Sequence, residues 1–202
     1  MNRLITSIAA CLVLLAGCAE TITPTDTVSR SATPRILTMG DSLLAWNGPS
    51  NRAVPDRLSG YLQEPVVDRS VAGAHVIYDL PVSGALGMKI AKQFRPGKWD
   101  WIVLNGGGND LWLGCGCVAC DRKIGRLIGP NGQGGEIATL VQKLRATGAQ
   151  VIYVGYLRSP GVGSPIEHCR DEGDELERRI TRMAAADNGV HFLSLANMVP
   201  NG

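Results

Sequence analysis

The sequence predicts an α/β fold, a three-layer α/β/α sandwich with a doubly wound parallel sheet of about five strands. Two observations support this prediction. Short apolar runs alternate along the chain with longer segments of helical periodicity, and such alternation produces a parallel sheet joined by right-handed crossovers. The short runs are also almost continuously apolar, as expected of strands that are covered on both faces.

Five segments have the length and composition of buried strands, with Gly, Pro or Asn nearby as boundaries. In chain order they are Ile36–Met39, Val66–Val71, Trp101–Leu104, Gln150–Tyr156 and Val190–Leu195. Four helical patterns lie among them, at Val54–Leu62, Ser83–Phe94, Gly135–Thr147 and Asp171–Asp187. The last pattern places Ile180, Met183 and Ala184 on one face, which is typical of an amphipathic helix.

Two longer stretches, between Asn105 and Gly135 and from Leu157 to Cys169, are irregular in pattern and rich in glycine or proline. Each follows the carboxyl end of a predicted strand, where open α/β sheets place their ligand crevice. Loops of this length in a compact domain are usually functional or disordered. We therefore expect both stretches to flank the crevice.

The amino-terminal residues indicate export. A short positive region precedes the apolar stretch Leu4–Leu15, which is too short to cross a membrane comfortably. Its end resembles the lipobox of bacterial lipoproteins, with cleavage before a lipidated Cys18. We expect residues 1–17 to be a signal peptide and residues 18–34 a flexible, lipidated tether. An ordinary secretory signal is the alternative. As a lipoprotein, the protein is expected in the bacterial cell envelope, at the periplasm or outer membrane, held to the membrane by its N-terminal lipid.

Composition excludes several classes of protein. The chain is 45% apolar and 19% charged, which is typical of a globular protein. Its net charge of +2 is small, and no basic stripe with interleaved aromatic residues is present, so we expect no nucleic-acid partner. Oligomeric state does not follow from the sequence.

Four cysteines remain for the predicted domain: Cys115, Cys117, Cys120 and Cys169. An even number of cysteines in an oxidising compartment predicts two disulfides. A zinc site with His168 as an optional ligand is the alternative, although Cys115 and Cys117 are closer in sequence than zinc-binding cysteines usually are. Sequence does not determine the pairing; we expect one bond between the 115–120 loop and Cys169. No metal or cofactor is predicted.

Three successive predicted strands are each followed by a group suited to acyl transfer. The tetrad Gly40-Asp41-Ser42-Leu43 follows the first strand, Gly73 follows the second, and Asn109 follows the third. A hydroxyl, a glycine N–H and an amide donor at one sheet edge form a nucleophile with donors for an oxyanion. Turn formation and helix capping are the alternative roles for the same residues.

These blocks resemble the SGNH (GDSL-type) hydrolases, in order, over about residues 35–195. Gly40-Asp41-Ser42-Leu43 is similar to their first block, Gly73 to the second, and Gly107-Gly108-Asn109-Asp110 to the third. The resemblance implies a flavodoxin-like sandwich and a serine esterase or acyl hydrolase that forms an acyl-enzyme on Ser42. It also implies an oxyanion hole from the Ser42 and Gly73 N–H groups and the Asn109 side chain. Lipid, carbohydrate and small aryl esters are the substrates that it implies.

The family's fourth block, Asp-x-x-His, is absent from the 202 residues. His75, His168 and His191 are poor replacements by position, with His75 nearest to a crevice loop. We therefore expect the hydrolase domain, residues 35–202, to be truncated at its carboxyl end, without the base and the last crossover helix. A catalytically inactive module that binds a glycan or an ester is the alternative hypothesis.

Overall fold

The structure is a computed structural model that describes residues 33–158, residue 163 and residues 167–199. The predicted signal peptide, Cys18 and all but the last two residues of the predicted tether lie outside the described residues. Within the described part of the chain, no helix combines the length and the apolar character that a membrane crossing requires.

The core of the fold is a parallel sheet of five strands in the order β2-β1-β3-β4-β5, which confirms the predicted doubly wound sheet. The strands are β1 (Ile36–Met39), β2 (Val66–Asp68), β3 (Trp101–Leu104), β4 (Gln150–Val154) and β5 (Val190–Leu193). Predicted β1 and β3 match to the residue, and the other three end earlier than predicted. In β2 the cause is local: the Asp68 carboxylate accepts hydrogen bonds from the N–H and the hydroxyl of Ser70, an Asx-type turn that ends the strand.

The helices are α1 (Ser42–Ala45), α2 (Val54–Leu62), α3 (Pro81–Ser83), α4 (Gly108–Cys115), α5 (Asp121–Leu127), α6 (Gly135–Arg145) and α7 (Arg170–Ala185). Predicted α2 matches to the residue, while α6 and α7 match to within two residues at either end. Single turns of 3-10 helix occur at Gly48–Ser50, Ile90–Lys92 and Glu167–Cys169, and Gly84–Met88 forms a π-helical turn.

The predicted helix Ser83–Phe94 is wrong, because this segment is broken into short turns of three kinds. Gly87 has φ = +109°, which interrupts the right-handed helix. A side chain is also excluded there, because a Cβ on Gly87 would lie 2.7 Å from Val71 Cγ2. Ile90 is buried in the larger core, so the apolar spacing in this segment reflects burial of separate turns and not a continuous helix.

The stretch between Asn105 and Gly135 was expected to be irregular, and this expectation is wrong for two parts of it. Helices α4 and α5 both form there. Their glycines weaken the helical signal, but Leu111, Ile124 and Leu127 are buried against the core, and this tertiary packing stabilises both helices.

The two faces of the sheet are covered unequally. One face packs the larger core, in which Leu37, Ile102 and Tyr153 form one cluster with buried residues of α5, α6 and α7. The opposite face carries a smaller cluster of buried residues, Leu44, Val103 and Val154. Layers on both faces confirm the α/β/α sandwich.

Candidate active site

A cavity of about 480 Å³ lies at the carboxyl ends of the central strands, where parallel α/β sheets bind ligands. Segments that follow β1, β3 and β4 line it, together with the start of α7. Both irregular stretches contribute residues, as the sequence predicted. The lining comprises Asp41, Ser42, Leu43, Trp46, Gly108, Asn109, Leu111, Trp112, Tyr156, Leu157, Arg158, Glu167, Cys169, Arg170, Gly173 and Leu176.

Ser42 is the first residue of α1 and lines the cavity. The preceding Asp41 caps this helix, since its Oδ1 accepts a hydrogen bond from the Leu43 N–H at 3.0 Å. The Ser42 hydroxyl makes no hydrogen bond to any described residue, so it is available to a ligand in the cavity. Ser42 thus has the exposure and the rigid support that a nucleophile needs.

Buried side chains hold the turn between β1 and Ser42 from both sides. Gln93 accepts a hydrogen bond from the Gly40 N–H at 2.7 Å and donates one to the Gly40 carbonyl at 2.9 Å. Asn105 packs so closely that a Cβ on Gly40 would lie 1.8 Å from its Oδ1. Glycine is therefore required at position 40 for steric reasons.

Below Ser42 lies a polar group that we call the Asp41 cluster: Asp41, Asn105 and Tyr156. Asp41 Oδ1 accepts from Asn105 Nδ2 at 2.7 Å, and Asp41 Oδ2 accepts from the Tyr156 hydroxyl at 2.5 Å. The Asp41 N–H donates to Asn105 Oδ1 at 3.0 Å. Because Asp41 and Asn105 are only 1% and 0% exposed, these bonds offset the cost of burying a carboxylate and an amide.

Asn109 lines the same cavity as Ser42. One hydrogen of its Nδ2 donates to the Ala74 carbonyl at 2.9 Å, which leaves the second hydrogen free to donate to a ligand. The next residue, Asp110, accepts hydrogen bonds from the Val76 and Ile77 N–H groups, both at 2.9 Å. Burial raises the pKa of the Asp110 carboxyl, and these two bonds oppose that rise. Asn109 and Asp110 together fix the loop that carries Gly73.

Gly73 is not among the residues that line the cavity. It has φ = +80°, a left-handed conformation that favours glycine, and its N–H makes no hydrogen bond to a described residue. The preceding Ala72 lines a separate, shallow hollow together with Trp46. The structure thus brings Ser42 and Asn109 into one cavity, with Gly73 on a loop bound to Asn109; the catalytic roles of all three stay predictions.

Two disulfides are present, as predicted. Cys115 pairs with Cys120, and Cys117 pairs with Cys169, so the expected link between the 115–120 loop and Cys169 is confirmed. Glu167, Cys169 and Arg170 line the cavity, and we call these three residues the Cys169 wall.

The alternative prediction, a zinc site at these cysteines, can be tested against the positions of their sulfur atoms. Candidate ligand atoms of Cys117, His168 and Cys169 all lie within 4.8 Å of one another. In the structure, however, the two sulfur atoms are joined in a disulfide. Zinc binds the thiolate form of cysteine, so this donor set does not fit the metal while the bond is intact.

The histidines lie away from the lining of the cavity, as far as the structure describes it. His75 is held in a short bridge with Lys89, and its ring packs near Tyr78. His168 is exposed in the 3-10 turn before α7. On β5, His191 lies 3.1 Å from Gln150 Oε1 through its Nε2. Within the described residues, the site therefore combines a hydroxyl and amide donors without an imidazole beside them.

The fold and this site define a class, the hydrolases built on a parallel sheet with a serine after the first strand. The chain belongs to the GDSL-like lipase/acylhydrolase family, whose profile matches residues 38–202. Family membership makes it an ester-hydrolysing enzyme by class and confirms the resemblance noted in the sequence. No protein with a curated description matches the chain in sequence.

Solved structures share the fold of this chain. AlinE4, an SGNH-hydrolase family esterase, is 18% identical, with a TM-score of 0.54 over 81% of this chain and 77% of its own. A catalytic mutant of Axe2, an acetylxylan esterase from Geobacillus stearothermophilus, is 17% identical, with a TM-score of 0.53 over 83% of this chain and 77% of its own. At these identities the likeness shows the shared fold.

Proposed function

We propose that the protein is an exported serine esterase that forms an acyl-enzyme on Ser42. One observation carries the proposal: the Ser42 hydroxyl is unbonded among the described residues and lines the same cavity as Asn109. In the first step the Ser42 oxygen attacks the ester carbonyl carbon, and a base accepts its proton. The carbon–oxygen bond of the ester then breaks, and the alcohol leaves with a proton. Water hydrolyses the acyl-enzyme by the reverse proton transfers.

The donors for the tetrahedral oxyanion would be the N–H groups of Ser42 and Gly73 and the Asn109 side chain. Asn109 supports this role best, because one of its amide hydrogens is already engaged by Ala74 and fixes the direction of the other. For the Gly73 N–H to donate to the oxyanion, the substrate must extend beyond the residues that line the cavity and reach the loop that carries Gly73. Loss of a single oxyanion donor typically costs about 100-fold or more in rate.

Activation of Ser42 is the step for which the described residues supply no imidazole. Removal of the base from a catalytic triad costs several orders of magnitude in rate, while oxyanion stabilisation and binding leave about 10³- to 10⁴-fold catalysis over water. We therefore expect the 202-residue chain to react slowly at Ser42 and to show low turnover.

An alkyl fluorophosphonate probe tests the proposal, with intact mass and peptide mapping as the measurement. We expect one adduct, on Ser42, in the wild-type protein and no adduct in Ser42→Ala. Ser50→Ala is the matched control, because Ser50 is a nearby serine whose hydroxyl bonds the Asn47 carbonyl and should not affect labelling. An equal adduct on Ser42→Ala would sink the proposal.

A ligand-binding module is the second candidate, favoured by the lack of a histidine among the described lining residues. The cavity wall is largely apolar, with Leu43, Leu111 and Leu176 beside Trp46 and Trp112, and it would suit an ester or a glycan. Titration calorimetry with acetylated xylan fragments and octanoyl esters tests this function. Saturable binding with no turnover above that of Ser42→Ala would support a binding module over an esterase.

Export and lipidation of Cys18 form part of the proposal. The disulfides between Cys115 and Cys120 and between Cys117 and Cys169 support an oxidising compartment. Expression in a bacterium with an alkyne-tagged fatty acid should label the full chain in the membrane fraction. Cys18→Ser should abolish the label; a labelled variant would contradict the assignment.

A further inference from the structure

We propose that Tyr156 is a positioning residue that holds Ser42 and Asn109 in fixed relation to each other. This inference rests on the proposed role of Ser42 as the nucleophile. Tyr156 follows β4, and nothing in the three sequence blocks points to it. Its phenol lies where the segments carrying the two predicted catalytic groups meet.

The Tyr156 hydroxyl bonds to the residue immediately before each of these groups. It donates to Asp41 Oδ2 at 2.5 Å and accepts from the Gly108 N–H at 3.1 Å. Asp41 precedes Ser42, and Gly108 precedes Asn109. One oxygen atom therefore joins the start of α1 to the start of α4. The Asn105 amide donates to the same oxygen at 3.3 Å, which ties this bridge to the end of β3.

No other described side chain replaces this bridge. Asp41 Oδ2 has the Tyr156 hydroxyl as its hydrogen-bond donor, whereas Oδ1 accepts from Leu43 and Asn105. Loss of the phenol would leave a buried carboxylate oxygen without a donor and the Gly108 N–H without an acceptor. Buried groups left without partners shift or admit water, and either response would alter the separation of Ser42 and Asn109.

Tyr156 is also held by residues outside α1 and α4. Its backbone N–H donates to Glu177 Oε1 at 3.1 Å, and its carbonyl accepts from Arg158 at 2.9 Å. Arg158 in turn pairs with Glu177 on α7. The ring also packs against Gly108, where a Cβ would lie 2.7 Å from Tyr156 Cζ. Tyr156 is thus anchored to α7 while its hydroxyl holds α1 and α4.

The phenol remains a donor at neutral pH. Burial raises the pKa of Tyr156 well above its ordinary value, and the negative charge of Asp41 adds to the rise. A neutral hydroxyl can donate to the carboxylate and accept from an N–H at the same time, as the bridge requires.

The experiment compares Tyr156→Phe with Tyr153→Phe. Tyr153 is a matched control on β4, because its buried hydroxyl donates to the Gly106 carbonyl at 2.9 Å and makes no hydrogen bond to Asp41. Each variant is treated with the fluorophosphonate probe over a range of concentrations, which separates kinact from KI, and its melting temperature is measured. We expect Tyr156→Phe to lower kinact by about 10- to 100-fold and to change KI little, because the ring still lines the cavity. Tyr153→Phe should lower the melting temperature and leave kinact near the wild-type value.

Each outcome decides a separate question. A folded Tyr156→Phe protein with wild-type kinact overturns the positioning role, and so does an equal fall of kinact in Tyr153→Phe. Absence of labelling in the wild-type protein overturns the proposed function, and this inference with it. If Tyr156→Phe does not fold, Gly108→Ala tests the positioning role instead, because this variant keeps the Tyr156 hydroxyl but displaces its ring. We expect it also to lower kinact, and an unchanged kinact there would contradict the inference.

Discussion

The Asp41 cluster and the Cys169 wall border the same cavity, but different interactions hold them in place. In the cluster, side chains from three strand ends are joined by short hydrogen bonds to the Asp41 carboxylate; Asp41 and Asn105 are buried, and Tyr156 is partly buried. The wall is partly exposed and lies on the 3-10 turn before α7 and on the first residue of α7. The disulfide between Cys117 and Cys169 ties it to the α4–α5 connection.

This difference matches what each region does in the proposed reaction. Hydrogen bonds are directional and fix both distance and orientation, which groups close to a reacting atom require. A disulfide limits the separation of two segments and acts largely on the unfolded chain, which is sufficient to keep a wall beside a ligand. We therefore expect the cluster to control the rate at Ser42 and the wall to control binding.

The largest expected effect comes from Asp41→Ala, which breaks the cluster. The Leu43 N–H and the Tyr156 hydroxyl lose their acceptor, the Asn105 amide loses the nearer of its two acceptors, and each buried group left without a partner costs about 1–3 kcal/mol. We expect a loss of about 5 kcal/mol in the free energy of unfolding and no detectable labelling of Ser42. Urea unfolding and the fluorophosphonate assay measure the two effects. A loss below about 1 kcal/mol would mean that water replaces the carboxylate readily.

Removal of the disulfides should have a smaller effect, and only the bond between Cys117 and Cys169 holds the wall. Cys117 and Cys169 are 52 residues apart and Cys115 and Cys120 are 5 apart. Loop-closure entropy then predicts losses of about 4 and about 2 kcal/mol for the two double serine variants. Urea unfolding measures both losses.

The same two variants separate the wall from the cluster in the labelling assay. Loss of the bond between Cys117 and Cys169 should raise KI for the probe while kinact falls much less than in Asp41→Ala. A collapse of kinact equal to that of Asp41→Ala would show that the wall also positions Ser42, and the distinction between the two regions would fail.

The smallest expected effect is a loss of stability in alkali. Burial, with the charge of Asp41 second, raises the pKa of both Tyr153 and Tyr156 well above 10.0. The folded protein therefore keeps protons that the unfolded chain begins to lose near pH 10, and stability falls as the pH rises. We expect each tyrosine to contribute a loss of about 1 kcal/mol between pH 8 and pH 10.5. Urea unfolding at both pH values should show a weaker dependence in the variant with Tyr153→Phe and Tyr156→Phe; an identical dependence would contradict this assignment.

Local sequence patterns were sufficient for much of the sheet and for the placement of Ser42 and Asn109 at one cavity. The strands Ile36–Met39 and Trp101–Leu104 were predictable to the residue because each is a short apolar run with a sharp polar or glycine boundary. Ser42 and Asn109 were predictable as residues of one crevice because carboxyl ends of parallel strands meet at one edge. The break at Gly87 was missed because its cause is close packing against Val71, which is distant in sequence.

The supporting residues of the site were not predictable from one sequence. Tyr156 acts on Asp41 across 115 positions, and Gln93 acts on Gly40 across 53. Neither residue belongs to a block that surrounds the nucleophile, and a tyrosine at the end of a buried strand also suits ordinary packing. Among these supporting residues, only Asn105 could have been singled out from its local sequence, because it ends β3 and directly precedes the glycine run.

The Asp41 cluster has a further consequence for the order of folding events. Its members lie 64 and 115 positions apart along the chain, so the cluster cannot close until β1, β3 and β4 are paired. Contacts of such long range form late, because chain closure must precede them. Recovery of the probe reaction at Ser42 during refolding should therefore follow the slowest step of sheet assembly. The rate at which labelling of Ser42 returns then reports when the native fold is complete.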